Sequence, residues 1–273
     1  MNSLIPFILI DFLLSIVFFL PLKDDRGPFK SFPLMTLILI GLNSGIYISM
    51  TYILPRQIGD DAAQRFIRTQ LLLVPANVLQ GAGQPAFTML ASAFMHASWD
   101  HLLGNMFFLW FFGRKVEDLL GSVKFGLFYL VCIYISNLGS VIAEVALPVD
   151  QGLVASLGAS GAIMGVVGAY LFMYHGERIR TLPLLFGFIP IPILPRVSAS
   201  FFIFYTIFRD VLNGWLEQQF QTFGYHYSFV DSFAHLSGVI AGLLCVLLFL
   251  PAEILNYRYR PEAATQGRDS ALP

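Results

Sequence analysis

The sequence predicts an all-α polytopic membrane protein, and its composition and apolar segments are the reasons. Hydrophobic residues make up 56% of the 273 residues and charged residues only 12%, whereas a soluble domain usually carries about 25% charged residues. The mean hydropathy is +0.71. Because so few charged side chains cannot cover this apolar surface, the surface must face a lipid bilayer, in which helices satisfy their own backbone hydrogen bonds.

Seven apolar segments predict the helices. In chain order they are Leu4–Leu20, Pro33–Leu54, Trp99–Gly113 with a continuation to about Leu120, Val123–Leu147, Ala162–Tyr174, Val197–Trp215 and Phe233–Leu250. The first segment is long for the core of a signal peptide, and it lacks a basic stretch before it and a small-residue cleavage site after it. We therefore predict that Leu4–Leu20 remains in the protein as a transmembrane helix.

Two connections between these segments are unusual. Pro55–Ser98 mixes charged residues with the apolar run Leu71–Val74, which favours a helix lying in the membrane interface. Thr181–Pro195 is apolar but contains four prolines, which exclude a regular spanning helix. We predict an irregular segment near a membrane surface there.

The basic residues predict the orientation. If the connection after the first segment is cytoplasmic, that side holds twelve of the sixteen Lys and Arg residues: Lys23, Arg26, Lys30, Arg114, Lys115, Lys124, Arg178, Arg180, Arg196, Arg258, Arg260 and Arg268. The other side holds Arg56, Arg65, Arg68 and Arg209. Since cytoplasmic loops are enriched in Lys and Arg, we expect the N-terminus outside and the C-terminus inside.

Other partners and cofactors are restricted by charge and cysteine content. A net charge of −1 argues against a nucleic-acid partner. Cys132 and Cys245 both lie in apolar runs, without a CxxC spacing or a Cys/His cluster. The sequence therefore predicts no disulfide and no metal.

Polar residues inside apolar helices are candidates for function, because burying them in lipid is costly. His101 and Asn105 are four residues apart and share one helix face. Ser160 begins the fifth segment, within Gly158–Gly161, and His235 begins the seventh. Counted in helical rise from the inner boundary, Ser160 lies about 22 Å and His235 about 24 Å up, which is the same depth.

Glycine stripes predict that the fifth and seventh segments touch. Gly161, Gly165 and Gly168 follow Ser160, and Gly238 and Gly242 follow His235. Small residues allow membrane helices to approach backbone to backbone. We therefore expect the Ser160 hydroxyl and the His235 imidazole to come within hydrogen-bond reach.

These residues would suit acyl transfer. An imidazole can take the proton of a serine hydroxyl, and the oxygen can then attack a carbonyl. Ser160 at a helix N-terminus lies among unpaired backbone N–H groups, and His101 and Asn105 can add side-chain donors to an oxyanion. Asp231, four residues before His235, could orient the imidazole as a third triad member or lie in the outer loop.

Each of these residues also has a structural explanation. A lone membrane serine usually bonds its own backbone, and a lone histidine or asparagine often joins two helices. The matched depth of Ser160 and His235 and the glycines beside both favour the joint catalytic interpretation.

The motifs resemble the rhomboid family of intramembrane serine proteases over roughly Phe19–Leu250. The similar stretches are Pro21–Asp25, the HxxxN pattern with its approach in Phe94–Asn105, Val116–Gly121, the GASG pattern of Gly158–Gly161, and the AHxxGxxxG pattern of Ala234–Gly242. Where many relatives carry an aromatic residue one turn after the serine, this chain has Met164, a thioether that can still pack on imidazole.

The resemblance implies a Ser–His dyad with Ser160 as nucleophile and His235 as base, and an oxyanion site with Asn105 and His101. It implies cleavage of transmembrane or juxtamembrane bonds in transmembrane protein substrates, without a metal or cofactor. The implied organisation is an extra N-terminal transmembrane helix and cytoplasmic link in residues 1–30, a six-helix rhomboid-like catalytic core in 31–251 and a cytoplasmic tail in 252–273.

Two other classes of protein remain as alternatives. An inactive rhomboid-like protein that escorts membrane clients would not depend on Ser160. A metal or proton transporter would use His96, His101 and His235, but these lack close carboxylate or thiolate partners in the sequence, and paired broken helices are not seen. A membrane metalloprotease is disfavoured because the sequence contains no HExxH motif. The short loops favour a bacterial plasma membrane, and an organelle membrane is the alternative.

Overall fold

The computed structural model describes residues 6–7, 9–10, 16–25, 31–146, 155–222 and 231–249. Within these ranges the chain is predominantly helical, and three helices are long and apolar enough to cross a membrane: Leu34–Ile58, Ser122–Ala143 and Ser232–Phe249. A shorter apolar helix covers Ser160–Tyr174. The predicted helical membrane fold is confirmed.

The helices follow the predicted order with different bounds. We label them α1 (Leu34–Ile58), α2 (Asp60–Phe66), α3 (Pro75–Leu79), α4 (Pro85–Ser92), α5 (Trp99–Phe108), α6 (Arg114–Leu120), α7 (Ser122–Ala146), α8 (Ser160–Tyr174), α9 (Ala199–Thr222) and α10 (Ser232–Phe249). A π-helical turn, Leu109–Gly113, joins α5 to α6. The single interfacial helix expected in Pro55–Ser98 is instead a series of short helices, α2 to α4.

Helices α8 and α10 pack backbone against backbone, as the glycine stripes predicted. A Cβ atom on Gly238 would collide with the carbonyl oxygen of Gly161, and one on Gly242 with that of Gly165. On Gly168 it would meet the backbone of Val239. Only glycine permits this approach of two backbones, and it sets the first turns of α8 and α10 side by side.

A buried carboxylate joins α1 to α6. Glu117 is fully buried, and its oxygens accept hydrogen bonds from the backbone N–H groups of Met35 and Thr36 at 2.8 Å and from the Thr36 hydroxyl at 2.7 Å. The Ser122 hydroxyl donates to the same carboxylate. Glu117 therefore satisfies the orphan N–H groups that begin α1, and this satisfaction makes its burial tolerable.

A small sheet departs from the predicted topology. Its strands are β1 (Val17–Asp24), β2 (Arg178–Leu185), β3 (Ile189–Pro190) and β4 (Arg196–Ser198), with β2 paired antiparallel to the other three. The prediction of an irregular segment at Thr181–Pro195 was therefore wrong for the residues of that segment that lie in β2 and β3. The Pro183 carbonyl accepts from the Ile191 N–H at 2.9 Å, on the side of β2 that faces away from β1. Because the N–H and C=O of one residue point to the same side of an antiparallel strand, the N–H that proline lacks is not needed for pairing with β1.

The N-terminal helix does not extend to Leu20 as predicted. Residues 6–7 and 9–10 are helical, residues 4–5, 8 and 11–15 lie outside the described residues, and Val17–Leu20 belong to β1. The run Val-Phe-Phe-Leu is rich in residues that favour strands, and β2 supplies the hydrogen-bonding partner that lipid lacks. At the far end of β1 the Asp24 carboxylate forms an ion pair with Lys115 and accepts from the Tyr170 hydroxyl at 2.8 Å.

Candidate active site

The four residues predicted to act together line one cavity. The cavity has a volume of about 480 Å³, and Ser160, His235, His101 and Asn105 are all in its wall. Helix α5 supplies His101 and Asn105, α8 supplies Ser160, and α10 supplies His235. The structure thus brings these side chains together from three helices. Their chemical roles stay predictions.

Ser160 is the first residue of α8. Ala159 precedes it as the N-cap and makes no side-chain capping bond, while its carbonyl accepts from the Ile163 N–H at 3.0 Å. The first N–H groups of a helix lack partners within the helix. The hydroxyl of Ser160 therefore lies beside donors and the positive end of the helix dipole, both of which favour a nearby negative charge.

Gly158 brings the α5 side chains next to this helix start. Its φ of +115° is one that L side chains rarely adopt, and a Cβ there would lie 2.8 Å from the imidazole of His101 and 3.7 Å from Nδ2 of Asn105. The N–H of Gly158 donates to the carbonyl of Ser92 at 2.9 Å. Glycine is thus required both by conformation and by space, and it allows the side chains of His101 and Asn105 to lie against the backbone just before Ser160.

Asn105 is oriented by a second histidine. Its Nδ2 lies 3.0 Å from Nε2 of His96, and the rings of His96 and His101 pack edge to face with centroids 5.0 Å apart. Burial, and next the nearby His101, lower the pKa of His96 to about 4, so its ring is neutral at neutral pH. Nε2 of His96 can then accept from one amide hydrogen of Asn105, and the other hydrogen remains for a ligand.

His235 has a carboxylate partner that the sequence reasoning missed. Nδ1 of His235 lies 3.1 Å from Oδ1 of Asp210 on α9, and both side chains are 13% exposed. Asp210 lies inside Val197–Trp215, one of the apolar segments that predicted a helix. This was the available signal, because carboxylates inside membrane segments are rare and usually functional. Among the described residues no hydrogen bond joins His235 to Ser160, so the predicted contact between these two is not formed.

Asp231 makes structural contacts instead. One carboxylate oxygen accepts from the Ala234 N–H at 2.8 Å, which caps the N-terminus of α10. The other accepts from the hydroxyls of Ser140 and Ser156. Asp231 thus joins α7, the loop before α8 and the start of α10, and the third-triad-member alternative for it is not supported.

Two further features of the cavity wall bear on the predictions. Met164, the departure from the family's aromatic residue, lines the cavity one turn after Ser160. Phe18 and Phe19 of β1 also line it, so the strand that replaced part of the predicted N-terminal helix is part of the site.

The sequence of this region matches a family of known proteins. The Rhomboid domain family matches residues 84–252, more than half of the chain. The chain is therefore a member of the rhomboid family and an integral membrane protein.

Three relatives illustrate the similarity. Rhomboid-like protein 11, chloroplastic, of Arabidopsis thaliana is 28% identical over 165 residues, which are 59% of this chain and 52% of that protein. Presenilin-associated rhomboid-like protein, mitochondrial, of Homo sapiens is 31% identical over 57% of this chain and 36% of its own length. A Bacillus subtilis (strain 168) protein, provisionally named rhomboid protease YdcA, is 36% identical over 31% of this chain and 40% of its own. The matches span about half or less of these relatives.

Proposed function

We propose that this protein is an intramembrane serine endopeptidase that cleaves transmembrane or juxtamembrane peptide bonds of membrane proteins. The observation that carries the proposal is that Ser160, His235, His101 and Asn105 line the same cavity. Membership of the rhomboid family supports a protease of this kind. A bacterial plasma (inner) membrane is the location we propose, on the basis of the short loops, and the chloroplast and mitochondrial relatives leave organelle membranes as the alternative.

The proposed reaction uses Ser160 as nucleophile and His235 as general base. Because Nδ1 of His235 contacts Asp210, Nε2 is the nitrogen left to take the proton from the Ser160 hydroxyl. The serine oxygen attacks the peptide carbonyl and forms a tetrahedral oxyanion. Its collapse breaks the C–N bond, with the proton passing from His235 to the leaving amine, and water then hydrolyses the acyl-enzyme. The hydrogen bond between a catalytic serine and its histidine is often long before substrate binds.

The oxyanion in this mechanism is stabilised by donors already held in place. These are the first N–H groups of α8 and the side chains of Asn105 and His101, which lie against Gly158. Fixed donors need no reorganisation when the charge develops. No step requires a metal or cofactor, so chelators should leave the rate unchanged.

Asn105→Ala should lower kcat by about 10- to 1,000-fold, the effect of losing one oxyanion donor. KM for a transmembrane substrate should change little, because the lost interaction forms mainly in the transition state. The measurement is steady-state cleavage in proteoliposomes. Asn137→Ala is the matched control: it removes an amide that donates to the Met89 carbonyl at 2.6 Å, outside the cavity. Equal kcat values for the Asn105 variant and wild type would remove Asn105 from the mechanism.

The direct test of the proposed function is cleavage of a reconstituted model transmembrane substrate by wild type and by Ser160→Ala. Wild type should produce two fragments from one internal cut, and the variant none. An intact substrate with folded wild-type protein would contradict the proposal.

A further inference from the structure

Asp210 is an ionisable residue on α9, and the proposed reaction gives it no role beyond its contact with His235. Its carboxylate contacts Nδ1 of His235 at 3.1 Å, and its carbonyl accepts from the Ser232 hydroxyl at 3.0 Å. A Cβ on Gly214, one turn later, would run into the Ser232 side chain. The first turn of α10 is therefore fixed against α9 at this point by close packing and by two hydrogen bonds to one residue.

We propose that Asp210 positions His235 for catalysis, so that the dyad operates as a Ser160–His235–Asp210 triad; this rests on the proposed function. An ionised carboxylate can only accept hydrogen bonds, so its contact requires the proton of the neutral imidazole to lie on Nδ1. Nε2 then carries the lone pair that receives the serine proton. The same carboxylate stabilises the imidazolium that forms during attack.

The surroundings of His235 support Asp210 over other candidates. Asp231, the carboxylate nearest in sequence, has both oxygens engaged by the α10 cap and by two serine hydroxyls. Arg209 is the cation next to Asp210 in the sequence, and its guanidinium lies over the ring of Phe18, 5.1 Å from the ring centroid. Asp100 lines the cavity, but no contact between it and His235 is present among the described residues.

The first test is a comparison of Asp210→Asn and Asp210→Ala with wild type. The asparagine keeps the shape, but its N–H₂ can donate to Nδ1 and so stabilise the wrong tautomer. We expect kcat to fall about 100-fold with nearly unchanged KM, less than the about 10⁴-fold loss for a deeply buried triad carboxylate. Val211→Ala, an exposed change on the same helix, is the matched control. Unchanged kcat in both Asp210 variants would overturn the proposal. This holds even if their Tm is lower, because Asp210 would then contribute only to packing.

The second test does not depend on activity. Nitrogen NMR of ¹⁵N-histidine-labelled protein in detergent distinguishes the two imidazole tautomers, and His235→Gln identifies the His235 signals. Wild type should carry the proton on Nδ1, and Asp210→Asn should shift the population toward Nε2. The same tautomer in both proteins would overturn the proposal. Absence of Ser160-dependent cleavage by wild type would instead contradict the proposed function, with the tautomer result still deciding the role of Asp210.

A different observation concerns β1, which lines the cavity beside α9. Phe18 and Phe19 face the cavity, the ring of Phe19 packs edge-on against Tyr205 at 5.4 Å, and the Tyr205 hydroxyl donates to the Val17 carbonyl at 2.6 Å. These contacts hold β1 at the wall of the cavity that contains Ser160, where its side chains occupy space that a bulky polypeptide would need.

From this position we infer that β1 is a strap that must separate from β2 before a polypeptide substrate reaches Ser160. Small serine-reactive molecules would enter without this step. This inference also rests on the proposed function.

A disulfide between β1 and β2 tests the strap. Val17 and Leu185 are paired across the strands, and such pairs have Cα atoms within the range that a disulfide spans. Oxidised Val17→Cys/Leu185→Cys protein should cleave a transmembrane substrate at least about 10-fold more slowly than the reduced protein, with equal labelling by a small serine probe. The single-cysteine variants control for oxidation. Cleavage at the reduced rate by the crosslinked protein would overturn the strap, while absent cleavage by wild type would contradict the proposed function.

Discussion

Ser160→Ala should abolish cleavage of transmembrane substrates, with a loss in kcat of about 10⁵- to 10⁶-fold, the size found when a nucleophilic serine is removed. The hydroxyl is the only group placed at the start of α8 that can form the acyl-enzyme, and alanine fits the same helix position. If the chemical step limits the rate, this factor corresponds to an increase of about 7 to 8 kcal/mol in the activation free energy. The measurement is single-turnover cleavage in proteoliposomes, with fragments separated by electrophoresis.

Ser136→Ala is the matched control for that change. Ser136 lies on α7 against Gly161, and its hydroxyl donates to the carbonyl of Ile133 at 3.0 Å. It is outside the cavity wall, so its loss should leave kcat within about 3-fold of wild type, as for other sites away from the chemistry. A Ser160→Ala protein that still cleaves at a tenth of the wild-type rate would require a different nucleophile.

His235→Ala should lower kcat by about 10⁴-fold or more, because an unassisted serine hydroxyl is a weak nucleophile. The double variant Ser160→Ala/His235→Ala should be no slower than Ser160→Ala alone, since residues that act as a unit have strongly non-additive effects. The measurement is the same single-turnover assay on all three proteins.

His175→Ala provides the comparison for the histidine change, because His175 is exposed and follows α8 outside the cavity. Its kcat should match wild type. Additive losses in the double variant would show that His235 and Ser160 act in separate steps, contrary to the proposed mechanism.

The parts of the fold that the sequence predicted well are those set by a local pattern. The spacing of Gly161, Gly165, Gly238 and Gly242 predicted a backbone contact between α8 and α10, because only such a contact requires glycine at each position. A count of helical rise separately placed Ser160 and His235 at the same depth, and the two line one cavity.

The features that the sequence did not predict depend on contacts between distant segments. Val17–Leu20 is apolar enough for a helix, and only the presence of β2 and the Asp24–Lys115 ion pair makes it a strand. Asp210 is 25 residues from His235, so no spacing rule relates them. Asp231, at helical spacing from His235, was the more visible candidate, but its carboxylate is used by the N-cap of α10.

The most direct test of the central claim is to label the folded protein with a small fluorophosphonate and to identify the modified residue by mass spectrometry of its peptides. We expect a phosphonyl group on the oxygen of Ser160, formed with loss of fluoride. Labelling should be absent in Ser160→Ala, much slower in His235→Ala and unaffected by a chelator. Covalent labelling at another serine with Ser160 unmodified, or substrate cleavage that a chelator abolishes and zinc restores, would contradict it.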